Sequence, residues 1–187
     1  MVSHIVIPMK PETVIAEFDR FLKDRGLSFQ GVIIGGTALA LMGVISRETQ
    51  DCDVLDPEIP QTINIAAKEF ASMQKKNGVD LKDNWLNNGP ESLRKHLPKG
   101  WLSRCVTVFS GKALSLLTLG REDLLKTKFF AYCDRNRDLE DCLALKPTKE
   151  EFKAAIEWVQ HQDANPDWPE HVRRSLTKLA KMVGHEL

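Results

Sequence analysis

The most constraining feature of this chain is the junction Val32-Ile33-Ile34-Gly35-Gly36-Thr37. Three β-branched residues bounded by glycines read as a short buried strand. From Thr37 to Met42 the small and aliphatic residues turn helical. A Gly-Gly pair between such a strand and such a helix lets backbone approach a bound group closely. The first turn of the helix adds N–H donors without intrahelical partners and a partial positive charge, for which phosphate is the natural guest. The plainer alternative is that Gly35-Gly36 only makes a tight strand-to-helix turn.

Soon after that helix, Arg47, Thr49, Asp51 and Asp53 share one parity. If Arg47 to Leu55 is extended, all four side chains project from one face, which is acidic at its end. Two carboxylates one residue apart repel each other unless a cation lies between them. Mg²⁺ (or Mn²⁺) takes oxygen ligands, commonly one or two carboxylates together with substrate phosphates. An isolated D-x-D also occurs on solvated edges. What gives this one weight is the strand, helix, strand order, which can bring glycine turn and acids to one sheet edge.

The rest of the chain reads as one α/β (α+β) fold, a mixed β-sheet flanked by helices and followed by a helical C-terminal part. Its 187 residues, 42% hydrophobic and 28% charged, suit one sizeable core. The expected division is an α/β core over residues 1–120 and a helical part over 121–187, packed as a single unit. Val14, Ile15, Phe18, Phe21 and Leu22 recur at helical spacing between Pro11 and Gly26. Ala66 to Met73 predicts another helix, and Val79 to Leu86 a strand broken at Asn87-Asn88-Gly89-Pro90. Val106 to Phe109 and Leu114 to Leu119 predict two strands around Gly111. Thereafter come only helices: Glu122–Tyr132, Asp138–Leu145, one opening on the capping-box pattern Thr148-Lys149-Glu150-Glu151, and one opening at Asp167.

Charge and cysteine usage narrow the function. Twenty-six basic residues balance twenty-six acidic ones, so no global field draws in nucleic acid or an anionic membrane. Local basic groups remain at Arg94-Lys95-His96, Lys99 and Arg104, and along His171, Arg173, Arg174, Lys178 and Lys181; most such clusters are solvated faces. Cys52, Cys105, Cys133 and Cys142 form no C-x-x-C, which points to reduced structural thiols and a cytoplasmic protein rather than a zinc site. The five histidines fall in no ligand spacing. Ser110 and Ser115 lack an activating pattern, which disfavours a serine hydrolase. The short Ile5-Val6-Ile7 run stops at Pro8, and no segment reads as a signal peptide or membrane span. Lys128 falls within the apolar stripe of its helix, beside Leu124, Leu125, Phe129 and Tyr132. An ammonium there either snorkels outward or meets an anion, a nucleotide phosphate or the carboxylates of Asp138 or Asp141. Those two aspartates are equally suited to capping the next helix.

Gly35-Gly36-Thr37-Ala38-Leu39-Ala40-Leu41 followed by Arg47-x-Thr49-x-Asp51-Cys52-Asp53-Val54 resembles the opening motif of the DNA polymerase β-like nucleotidyltransferase superfamily, in particular its minimal bacterial members and AbiEii-type toxins. Arg121 to Lys128, then Arg135-Asn136-Arg137-Asp138-Leu139-Glu140-Asp141, is similar to the lysine-containing helix and R-x-K/R-D-x-x-D stretch of those toxins. The resemblance implies metal-dependent transfer of a nucleotide from an NTP to an acceptor hydroxyl. Gly35, Gly36 and Thr37 would hold phosphates, Asp51 and Asp53 would carry Mg²⁺ or Mn²⁺, and Lys128 would neutralise the triphosphate. An RNA, tRNA or protein acceptor and an antitoxin-like protein partner are the partners it implies. A third carboxylate is expected from a neighbouring strand. Asp80 and Asp83 compete for it, with Asn87 marking an amide where an acid is expected. The rival reading is a catalytically silent nucleotide-binding or protein-interaction module on the same scaffold.

Overall fold

The structure, a computed structural model, describes residues 10–47, 49, 51–89 and 91–187. The Ile5-Val6-Ile7 run lies outside the described residues. The chain divides into two compact units, Met1–Lys95 with Cys105–Thr118, and His96–Arg104 with Leu119–Leu187.

The first unit is a five-stranded mixed sheet with three helices. Helix α1 (Pro11–Asp24) starts on Pro11, where the missing N–H is no loss, and gives way to Gly26 at φ +64°. Its apolar stripe of Val14, Ile15, Phe18 and Leu22 is buried. Strand β1 (Phe29–Ile34) follows, then α2 (Gly35–Leu41), β2 (Cys52–Asp56), α3 (Gln61–Lys76), the two-residue β3 (Leu86–Asn87) and the hairpin β4 (Val106–Ser110) and β5 (Leu114–Thr118). The strand order is β3-β2-β1-β5-β4. Strand β1 sits at the centre, parallel to β5 and antiparallel to β2, while β3 runs parallel to β2. The core is filled by α1 and α3 residues and the sheet, with Phe18, Phe70 and Trp85 in mutual aromatic contact.

Two sequence expectations are corrected here. The strand expected over Arg47–Leu55 begins only at Cys52, so Arg47, Thr49 and Asp51 precede the ladder. The strand expected over Val79–Leu86 shrinks to Leu86–Asn87. Leu81 and Trp85, both buried, are four apart and are brought inward by a turn in which Trp85 N–H donates to Lys82. The Trp85 indole N–H is satisfied by the Ala67 carbonyl of α3, 3.1 Å away. This spacing serves a turn, not an alternating strand.

The second unit is helical: α4 (Arg121–Arg135), α5 (Leu139–Leu145), α6 (Lys149–Gln160) and α7 (Trp168–Met182), with a short 3₁₀ turn at Trp101–Arg104. The Thr148 capping box forms as the sequence predicts, with Thr148 Oγ1 accepting from Glu151 N–H and the Glu151 carboxylate accepting from Thr148 N–H. Arg104 makes two hydrogen bonds to the buried carboxylate of Asp123, at 2.8 and 3.0 Å. Among the described residues no helix is long and apolar enough to cross a membrane.

Candidate functional site

The end of β1 delivers Gly35, and β2 runs back beside it with Asp53 opposite Ile34. Gly35 has φ +79°, a conformation that residues with a Cβ rarely adopt. A Cβ there would also lie 2.9 Å from Asp53 Oδ2. Glycine therefore gives the turn its shape and leaves the space the Asp53 carboxylate fills. Gly36 is small for a separate reason, since a Cβ on it would overlap Thr49 Cγ2.

Thr37, buried in the first turn of α2, ties this turn to the segment ahead of β2. Its hydroxyl donates to the Asp51 carbonyl at 2.7 Å and lies 2.8 Å from Thr49 Oγ1. A carbonyl only accepts, so the single Thr37 proton goes to Asp51 and Thr49 is the donor in the second bond. The hydroxyl that the sequence assigned to phosphate thus has protein partners. Asp51 is exposed and, with Thr37, Thr49, Leu81 and Trp85, borders a small cavity of about 10 Å³.

On its other side β2 meets β3, with Asp53 directly beside Asn87. Asn87 Oδ1 accepts the Gly89 N–H at 2.7 Å. A Cβ on Gly89 would lie 2.7 Å from Asn87 Oδ1 and 3.9 Å from Asp53 Oδ1. The Asp53 carboxylate is therefore flanked by two residues without side chains, Gly35 at Oδ2 and Gly89 at Oδ1. Asn88 holds the same loop in place, donating to the carbonyls of Val54 and Pro57 and accepting from Ile59 N–H. Sequence reasoning treated Asn87-Asn88-Gly89-Pro90 chiefly as a strand breaker and missed Gly89. A glycine two residues after an asparagine that can bond its N–H was the available signal.

Neither candidate for a third acid joins this pair. Asp80 is exposed in the segment after α3. Asp83 pairs with Lys75 at 2.7 Å, a hydrogen bond and charge that hold its carboxyl below the usual range. Among the described residues no group of three or more His, Cys, Asp or Glu side chains is placed to hold a metal ion. The donor set still suits a hard dication that keeps most of its shell for water and phosphate. It offers carboxylate oxygens, one of them in a cradle that a Cβ at position 35 would fill.

Lys128 belongs to the second unit, where it is buried on α4. Its Nζ lies 2.8 Å from Asp141 and 3.1 Å from Asp138, so two carboxylates answer one ammonium. Asp138 makes no side-chain cap for α5. The basic clusters are partly neutralised too: Arg94 pairs with Asp56, Arg104 with Asp123 and Arg173 with Glu170. His161, His171 and His185 each bond a backbone carbonyl. Cys52, Cys133 and Cys142 are free and buried; burial pushes the last two up to about 12, so they stay neutral thiols.

No match was found among curated proteins or among solved structures. The family described as nucleotidyltransferase of unknown function (DUF6036) matches residues 12–150, a span from α1 into α6 that includes the glycine turn, Asp51, Asp53 and Asp141. The chain belongs to that family of nucleotidyltransferases.

Proposed function

We propose that the chain transfers a nucleotide from an NTP to an acceptor hydroxyl in a metal-dependent reaction, with Asp51 and Asp53 as the metal-side carboxylates. The observation that carries this reading is the fit of Gly35 to Asp53: a left-handed glycine whose missing Cβ leaves the carboxylate its place at the mouth of the strand-to-helix turn. A divalent cation bound there would act as a Lewis acid toward the phosphoryl oxygens. The protein's own contribution is positional. Asp53 is held between two glycines, and Asp51 is fixed through its carbonyl by Thr37. The backbone N–H groups at the start of α2 would be the donors for the phosphates. Lys128 stays with Asp138 and Asp141 in this reading, because a cluster of one cation and two anions does not attract a triphosphate. RNA, tRNA or a protein supplies the hydroxyl, and an antitoxin-like partner remains part of the proposal.

The test is to incubate the protein with each labelled NTP, Mg²⁺ or Mn²⁺, and RNA or protein acceptors, beside an Asp51→Ala/Asp53→Ala variant. Transfer by the wild type and its loss in the variant is the expected result. A second reading, nucleotide binding without transfer, is favoured by the lack of a third acid in the cluster among the described residues. Binding of MgNTP with no transfer to any acceptor would select it.

A further inference from the structure

Thr49 reaches both halves of the site. Asp51 stands one residue ahead of β2, and the peptide that follows it is pinned from two sides. The Cys52 N–H donates to the Trp85 carbonyl, and the Asp51 carbonyl accepts the Thr37 hydroxyl at 2.7 Å. Thr37 has a single hydroxyl proton, so this bond depends on the direction in which that hydroxyl points. Thr49 sets the direction by donating its own proton to Thr37 Oγ1, 2.8 Å away. Hydrogen bonds in such a chain strengthen one another. The Thr49 methyl meanwhile lies against Gly36, where a Cβ would overlap it. One side chain therefore meets the acidic segment through its hydroxyl and the glycine turn through its methyl.

We propose that Thr49 is a positioning residue of this site, its hydroxyl acting through Thr37 on Asp51 and its methyl setting how closely Gly36 approaches. The proposal rests on the nucleotidyltransferase reading above. Released from Thr49, the Thr37 hydroxyl can turn to a carbonyl three or four residues earlier, the usual local alternative for a threonine in a helix. Asp51 then loses that tie, and its exposed carboxylate moves with the peptide that carries it. Removing the Thr49 hydroxyl therefore acts on the reacting geometry and lowers kcat. Removing the methyl keeps the hydrogen-bond chain and loosens the glycine turn, which raises KM for the NTP. Valine keeps a methyl and loses the hydroxyl, while serine keeps the hydroxyl and loses the methyl. The two substitutions separate the two roles.

Two measurements on the full chain test this. One is steady-state transfer from labelled NTP to an RNA or protein acceptor. The other is the ¹³C shift of the Asp51 carbonyl in the protein without metal or nucleotide, which reports the hydrogen bond that carbonyl accepts. Thr49→Val is expected to lower kcat about threefold to tenfold, the scale of one hydrogen bond, with KM little changed. It should also move the Asp51 carbonyl shift. Thr49→Ser should keep both kcat and the shift and raise KM. In a Thr37→Val background, Thr49→Val should cost nothing further in kcat, because two residues acting in series are not additive. An unmoved shift in a folded Thr49→Val, an equal loss of kcat in Thr49→Ser, or full additivity with Thr37→Val overturns the proposal while wild-type transfer stands. A wild type that transfers to no acceptor overturns the nucleotidyltransferase reading and the positioning role with it. If Thr49→Val does not fold, Thr49→Ala against Thr49→Ser, which differ by the hydroxyl alone, decides in the same way.

Discussion

Gly35 meets two demands that usually fall on different residues. Its φ of +79° is open to glycine and strained for any other residue, and its missing Cβ makes room for Asp53 Oδ2. Gly35→Ala should therefore cost about 1–3 kcal/mol of stability, the usual price of a non-glycine residue in such backbone. It should also abolish label transfer, because the new methyl displaces the carboxylate. Denaturant unfolding and the transfer assay on one preparation check both; a variant with wild-type stability and transfer would show that the turn tolerates a side chain. Gly36 is under a different constraint, the methyl of Thr49, so the two glycines are not interchangeable.

Among the elements, the β4–β5 hairpin depends on a residue of α1. Asp19, buried, accepts the N–H groups of Lys112, Ala113 and Leu114 at 3.2, 2.8 and 2.8 Å. Gly111 is needed beside it because a Cβ would overlap the carboxylate. Burial pushes the Asp19 pKa up, but the three backbone bonds and the Lys112 charge outweigh it and leave the group more acidic than usual. A depressed folded pKa gives stability that is complete above the unfolded value of about 4 and is lost as pH falls through the folded value. Asp19→Asn should lower stability at neutral pH by about 1–3 kcal/mol, the scale of hydrogen bonds to a charged acceptor. Its stability should also fall less steeply than the wild type's below about pH 4. Parallel urea titrations of the two proteins from acid to neutral pH measure this; superimposable acid limbs would remove Asp19 from the account.

At the scale of the whole chain, the two units are interleaved in sequence. The chain passes between them three times, after Lys95, Arg104 and Thr118. Residues 96–104 bring Arg104 to the buried carboxylate of Asp123, and a Cβ on Gly120 would crowd the Arg104 carbonyl. A fragment of residues 119–187 keeps Asp123 and loses its guanidinium. Asp123 is fully buried but the Arg104 side chain is 38% exposed, so losing this partner costs less than the ~3–5 kcal/mol of a fully buried pair. That fragment should melt below the second unit of the full chain by circular dichroism, and adding residues 96–104 through a linker should restore part of the difference. Equal melting with and without 96–104 would show that the pair is not needed. A boundary at residue 120, the division that pattern reading suggests, follows the switch from strands to helices but not this return of the chain.

Sequence alone determined the elements whose residues carry their own reason: the β-branched run before Gly35-Gly36, the stripe of α1, the capping box at Thr148, and the Asp51/Asp53 spacing. Each depends on neighbours within a turn or a strand, where local sterics and periodicity act. Lys128 was legible as an anion seeker, though not which anion it would meet. Tertiary structure decided what depends on residues far apart in the chain. It placed Asn87 and Gly89 beside Asp53, gave the Thr37 hydroxyl to Asp51 and Thr49, turned Leu81 and Trp85 inward from a segment that does not extend as a strand, and sent residues 96–104 to the helical unit. These outcomes follow from ladder register and from the satisfaction of buried polar groups, and neither is fixed until the partner strand or helix has arrived.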